Sequence, residues 1–146
     1  MVYSIGVYRD RKGALLFVPD GFDKNGIGRS LDWFEKIELP YSHKSIGKAV
    51  KETLNISRNA PVIEDVKALG NVFERATGIK GWAKFSKEHL CVSAALSDQG
   101  YRFAPLKRVR GGGYLGEVGD PVIEIGLDSS EEEIGETVVR AFSFLT

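Results

Sequence analysis

The segment Pro121 to Leu145 constrains the fold most, because it combines a strand pattern with an amphipathic helix pattern in direct succession. The segment begins with a β-branched apolar run, which indicates a strand. A capping box is available from Ser129 or from Ser130, with a glutamate three residues later in either case, and the acidic cluster suits the positive end of a helix. Apolar residues then recur at helical spacing, namely Ile134, Val138, Ala141, Phe142 and Leu145. We therefore predict a strand followed by a helix that docks through one face.

An earlier segment repeats the pattern of this helix. Ile, Gly, Val and a large apolar residue stand at the same offsets in both segments, as Ile46, Gly47, Val50 and Leu54 and as Ile134, Gly135, Val138 and Phe142. The repetition favours two similar β-β-β-α halves. The alternative is that two short amphipathic helices share this spacing by chance.

The composition is that of an ordinary globular protein. The chain has 146 residues, of which 42% are hydrophobic and 27% charged, so we expect one domain spanning residues 1–146. Twenty basic residues balance twenty acidic ones, which counts against a nucleic-acid binder. The single cysteine, Cys91, fits a reducing compartment and leaves no cysteine cluster for a metal. We expect a cytoplasmic protein without a metal or another cofactor and without a membrane-spanning segment.

The remaining patterns predict an α+β fold. We expect an antiparallel sheet, or sheets, of about six to seven strands, with two or three helices. Strands are predicted at 2–7, 14–18, 33–39, 80–85, 90–96, 101–108 and 122–127, and helices at 46–54, 64–77 and 131–145. The segment 19–29 is rich in Gly, Asp and Asn and is predicted to be a loop.

Two short motifs resemble ligand-binding loops but lack the required context. Gly111, Gly113, Gly116 and Val118 match the phosphate-binding loop of protein kinases, yet the catalytic residues of a kinase need far more chain than follows. We interpret these glycines as a hairpin connection. The segment 20–25 has acidic residues before a glycine, but its spacing is wrong for a calcium loop and no glutamate closes it.

Residue chemistry leaves three kinds of function open. His89 and Cys91 are the candidates for nucleophilic catalysis, although no third group at known spacing orients them. A single-stranded nucleic-acid module would use the basic and aromatic stripe of Tyr101, Arg102, Lys107, Arg108 and Arg110. The same stripe is also typical of a charged sheet edge that resists aggregation. A binding protein would meet a basic partner with carboxylates, for which the candidates are Asp32, Glu35, Glu38, Glu117, Asp120 and Glu124.

Two segments resemble contact-dependent growth inhibition immunity proteins. These are the Ser-Ile-Gly-x-Ala-Val-x-x-x-Leu helix at 45–54 and the Ser-Ser-Glu-Glu-Glu-Ile-Gly-x-x-Val segment at 129–138. The resemblance implies a small cytoplasmic α+β protein that is not an enzyme. It further implies that the chain binds the toxic C-terminal domain of a cognate surface protein, often a nuclease, and blocks its active site. We therefore prefer the binding protein, with the nucleic-acid module as the alternative.

Overall fold

The computed structural model describes residues 2–146 and confirms the predicted α+β fold. One sheet of eight strands carries two long helices and two short ones. The strands are β1 (Tyr3–Arg9), β2 (Leu15–Phe22), β3 (Gly28–Ser30), β4 (Glu35–Ile37), β5 (Leu90–Ser97), β6 (Gly100–Arg108), β7 (Tyr114–Leu115) and β8 (Ile123–Ile125). The helices are α1 (His43–Asn59), α2 (Val72–Thr77), α3 (Trp82–Glu88) and α4 (Glu131–Ser143), with a single 3₁₀ turn at Val66–Ala68.

The sheet is antiparallel and has four long strands at its centre, in the order β2-β1-β5-β6. Each outer long strand pairs with two short strands. The first part of β2 pairs with β4 and its last part with β3, whereas the first part of β6 pairs with β8 and its last part with β7. Both outer edges of the sheet are therefore split.

One face of the sheet is closed by α1 and α4. The buried cluster between them includes Ile5, Val7 and Phe17 from the sheet, Ile46 from α1 and Phe142 from α4. Both helices begin with a serine cap, and the cap of α4 is one of the two serines that the sequence predicts for it. Ser42 and Ser130 each accept a hydrogen bond from the backbone amide three residues later.

The two halves of the chain repeat the same arrangement of elements. Strands β1 to β4 followed by α1 correspond to strands β5 to β8 followed by α4, and the split edges correspond as well. The repetition that the sequence predicts for the helices also includes the caps and the edge strands. The equivalent pairs are Ser42 and Ser130, Ile46 and Ile134, Gly47 and Gly135, and Ile37 and Ile125. Each half holds four strands, one more than the β-β-β-α pattern, and neither β3 nor β7 was predicted from the sequence.

The other face of the sheet is covered at one end by the short helices α2 and α3. A second buried cluster forms there from Tyr8, Leu16, Val72, Phe85 and Cys91. The Tyr8 ring meets two rings of the short helices edge to face, that of Phe73 at 5.2 Å and that of Phe85 at 5.4 Å between centroids. Among the described residues, no helix covers the rest of this face.

The segment predicted to be a strand at 80–85 is helical instead. The ring of Trp82 stacks on that of Phe85 at 5.2 Å, and Phe85 stacks on His89 at 3.9 Å. Trp82, Phe85 and His89 stand three and four residues apart, which is helical spacing. The prediction of a strand came from alternation within 80–85, and a segment this short does not distinguish a strand pattern from a helix pattern. The helix predicted at 64–77 is also reduced, to the 3₁₀ turn and the six-residue α2.

The segment predicted to be a loop at 19–29 mostly belongs to the sheet, because β2 continues through Pro19 to Phe22 and turns into β3. The carbonyl of Pro19 accepts a hydrogen bond from the amide of Leu31 at the outer edge. In an antiparallel strand, the N–H and C=O of one residue point to the same side. The side on which Pro19 lacks an N–H is therefore also the outer edge, at the gap between β4 and β3. Pro105 stands at the equivalent gap in β6. In residues 2–146, no helix is long and apolar enough to cross a membrane.

Candidate partner-binding surface

The uncovered part of the sheet face is lined by small residues. Alternation along the strands places Ile5 and Val92 under the long helices, so their neighbours point to the opposite face. Gly6 pairs with Ser93, and Ser93 pairs in turn with Ala104, across three adjacent strands. A surface of this kind has low relief and allows close approach of another molecule. We call it the open sheet face.

A pocket of about 230 Å³ lies where the open sheet face meets α3. Tyr8 forms its floor by lying back over Gly6, where a Cβ atom would be only 2.5 Å from the Tyr8 hydroxyl oxygen. Trp82 and Tyr114 form an aromatic wall, with centroids 5.8 Å apart and rings nearly perpendicular. Ser30 and Ser93 contribute hydroxyl groups to the lining.

Asp20 is the acidic group of this pocket. It is half-buried, and its Oδ2 accepts a hydrogen bond of 2.8 Å from Ser4 Oγ. Burial raises the pKa of Asp20 to about 6, and the hydrogen bond from Ser4 offsets only part of that effect. In the sequence, Asp20 stood out only as part of the rejected calcium loop, because the strand was predicted to end before Pro19.

The pocket wall is fixed by hydrogen bonds to α3 and to the segment after it. The Tyr114 hydroxyl lies 2.8 Å from the carbonyl oxygen of His89 and 3.2 Å from that of Ser86. Arg108 Nε donates to Ser86 Oγ at 2.8 Å. Strand β7 and the end of β6 therefore hold the short helix in place.

His89 and Cys91 do not form a nucleophile with its base. The His89 Nδ1 atom is 2.8 Å from the carbonyl oxygen of Phe85, and its ring stacks on the Phe85 ring. Cys91 is buried in the cluster under α3, and burial raises the pKa of its thiol well above the usual range. A thiol in this state stays protonated at neutral pH, whereas a nucleophile must be a thiolate.

The first three predicted carboxylates lie at the β4 edge of the sheet. Asp32 accepts hydrogen bonds from Arg75 at 2.9 Å and 3.1 Å. Burial and the neighbouring Glu52 raise the pKa of Glu35, whose Oε2 has no hydrogen-bond partner among the described residues. Glu38 is exposed. Asp32 is thus already engaged within the chain.

The other three carboxylates lie at the opposite edge, near β8. Asp120 accepts a hydrogen bond of 2.8 Å from the Glu117 amide and lies 3.5 Å from Lys107 Nζ. Glu124 faces Arg102 across the strands at 3.9 Å. Five strand spacings separate β4 from β8, or about 24 Å at ~4.8 Å each. The six predicted residues therefore form two groups rather than one surface.

The predicted nucleic-acid stripe is divided between the two faces of the sheet. Tyr101 is buried under the long helices beside Phe103, with ring centroids 6.4 Å apart, so it is not free to stack on a base. Lys107 shares that face, whereas Arg102 and Arg108 point to the other one. Arg110 is exposed in the turn after β6. The structure does not bring these residues together.

The glycine-rich segment forms the turn between β6 and β7. The Val109 amide donates to the carbonyl of Gly113 at 2.8 Å, and Gly111 and Gly112 both adopt positive φ. This turn is not followed directly by a helix, as a dinucleotide-binding loop would require.

In the rejected calcium loop, Asp23 accepts hydrogen bonds from the amides of Asn25 and Ile27. Within residues 2–146, no cluster of three His, Cys, Asp or Glu side chains could hold a metal ion.

These features define a small α+β protein with one antiparallel sheet, two long helices on one face and a partly open second face. No protein-family model matches the sequence, and no curated protein matches it. Solved structures share the fold over nearly the whole chain. One is a protein of unknown function from Neisseria meningitidis, with a TM-score of 0.76 and 18% identity over 98% of this chain and 94% of that chain.

A second solved structure is the CdiA-CT/CdiI toxin and immunity complex from Yersinia pseudotuberculosis. The similarity to a chain of that complex has a TM-score of 0.75 and 16% identity, over 99% of this chain and 97% of that chain. The two TM-scores establish a common fold, and at identities below 25% the similarity establishes the fold alone.

Proposed function

We propose that this chain is an immunity protein, which binds a toxin domain and neutralises it without chemistry of its own. The observation that carries the proposal is the end-to-end match in fold to a chain of a toxin and immunity complex. Because the match covers almost all of both chains, the similarity extends over the entire architecture described here rather than over a common substructure.

The surface of the chain supports a role in protein binding. The open sheet face combines low relief with one recessed carboxylate, which suits a partner that inserts a side chain. Exposed carboxylates at both sheet edges, Glu38 and Glu117, add negative charge around it. Such a surface complements a basic partner.

The proposed mode of action is occlusion of a toxin that acts on nucleic acid. A nuclease binds the phosphate backbone with Lys and Arg side chains, so its cleft is basic. Carboxylates that pair with those cations exclude the substrate while they hold the inhibitor in place.

The test begins with capture of the tagged chain from its native cells and identification of a partner by mass spectrometry. The captured domain is then expressed from an inducible promoter, with and without this chain. We expect growth arrest by the domain alone and recovery of growth on co-expression. A partner that is harmless when expressed alone, or a toxic partner that is not neutralised, would contradict the proposal.

A further inference from the structure

We propose that the pocket on the open sheet face receives the guanidinium group of an arginine side chain from the protein partner, with Asp20 as its counter-ion. The identity of the partner as a toxin rests on the proposed function. The chemistry of the pocket does not, because it follows from the residues that line it.

The first argument is charge. Asp20 is recessed, and among residues 2–146 no lysine or arginine forms an ion pair with it. Asp23, by contrast, is paired with Arg29, at 3.3 Å. A recessed carboxylate without a cation is costly unless something else compensates it. A cation supplied by a partner would do so.

The second argument is the shape and chemistry of the wall. The guanidinium group is planar, carries five donors and stacks on aromatic faces, whereas an ammonium group is a compact point charge. The pocket is lined by the aromatic residues Trp82 and Tyr114, and by Asp20, Ser30 and Ser93, whose side chains carry acceptor oxygens. A single carboxylate without further ligands is a poor site for a metal ion.

The third argument is access. The sheet beside the pocket carries Gly6, Ser93 and Ala104, which form a path of small residues for a partner's backbone. Arg102, on the same face, lies toward β8, where it faces Glu124 at 3.9 Å. Arg108, which points to the same face of the sheet, already donates to Ser86 and to the carbonyl oxygen of Ala83. It therefore does not compete for the carboxylate.

The pocket is tested on the free chain with two small probes, N-acetyl-arginine N-methylamide and the neutral analogue N-acetyl-citrulline N-methylamide. The titration is followed by NMR, through the chemical shifts of the Asp20 carboxyl carbon and of the two indole N–H groups. The indole signal of Trp33 serves as an internal reference for that of Trp82. We expect the arginine probe to shift Trp82 and to lower the pKa of Asp20, with millimolar affinity. Equal shifts with both probes, or no shift with either, would overturn the inference.

Two variants separate the pocket from general charge effects. Asp20→Asn should abolish the response to the arginine probe, whereas Asp98→Asn, which removes an exposed turn carboxylate, should leave it unchanged. In the complex with a captured toxin, Asp20→Asn should weaken binding by about 30-fold or more, the range for one member of a buried charge pair. A positive probe titration with no toxic partner would refute only the immunity function, and neutralisation by a chain that ignores the probe would refute only the pocket.

Discussion

Gly47 of α1 and Gly135 of α4 each lie against the first residue of the other long helix. A Cβ atom at Gly47 would overlap the carbonyl oxygen of Glu131, and one at Gly135 would overlap that of His43. The contact is reciprocal, as expected for two similar halves. The Ile-Gly pair that recurs in the sequence thus marks the close crossing of the two helices.

Alanine at either glycine should therefore destabilise the fold. In an exposed helix, Gly→Ala usually stabilises by up to about 1 kcal/mol, but here the added methyl group meets backbone that cannot rotate away. We expect Gly47→Ala and Gly135→Ala each to lower the free energy of unfolding by about 3 kcal/mol or more. Urea denaturation measures this, with exposed Glu136→Ala as the control within ~0.5 kcal/mol. A stabilised Gly135→Ala variant would show that the helices are farther apart.

The stability of the chain should depend on the ionisation of Asp20. Its pKa is about 6 in the folded protein and near 3.8 without the fold, so the folded state binds the proton more tightly. Stability therefore falls as pH rises between these two values, and the loss is complete above them. The neighbouring Tyr8, Cys91 and Tyr114 are neutral in this range, since their ordinary pKa values lie well above it and burial raises the pKa of each further.

The Asp20→Asn variant isolates this effect. Near neutral pH it should be more stable than the parent chain, by up to about 2–3 kcal/mol, and near pH 4 the difference should vanish. Urea denaturation at a series of pH values gives both curves. Parallel curves for the two proteins would mean that Asp20 ionises normally in the fold.

Tyr101 should behave as a core residue rather than as a base-stacking one. Tyr101→Ala removes a buried ring and should cost about 3 kcal/mol of stability, whereas exposed Arg102→Ala should cost less than ~1 kcal/mol. Fluorescence anisotropy with short single strands should show no tight binding at low salt. Binding that weakens steeply with salt and is lost in Arg102→Ala would restore the nucleic-acid alternative.

Cys91 should be unreactive in the native protein. Its thiol is buried and stays protonated at neutral pH, so thiol reagents should modify it only as the chain unfolds. The rate of labelling by a disulfide reagent in buffer and in denaturant measures the difference. Rapid labelling in buffer would reopen the question of a catalytic cysteine.

The two groups of carboxylates predict an asymmetric interface. Because they lie at opposite edges of the sheet, a partner centred beside one edge leaves the other in solvent. We make both charge reversals, Glu38→Lys and Glu117→Lys, in separate variants. We expect only one of the two variants to bind the partner much more weakly than the parent chain. Affinities from titration calorimetry at low salt decide this, and equal losses for both would require a partner that spans the sheet.

The sequence by itself determined the parts of the fold that local patterns encode. The caps at Ser42 and Ser130 and the helical spacing from Ile46 and Ile134 define α1 and α4, because capping and one-sided burial act within a few residues. The apolar runs of the long strands are equally local. The offsets shared by the two helices also predicted the repeated halves.

Only the tertiary structure decided what lies on the second face of the sheet. Helices as short as α2 and α3 are only marginally stable in isolation. Their aromatic side chains hold them in place only once Tyr8 of the sheet packs against Phe85 of α3. The pocket exists because β2 continues past Pro19. Proline has no backbone N–H to donate, and Pro19 stands at the gap between β4 and β3, where the sheet tolerates that lack. Asp20 then joins Ser4, Trp82 and Tyr114 from distant parts of the chain, and no local pattern encodes a contact of that kind.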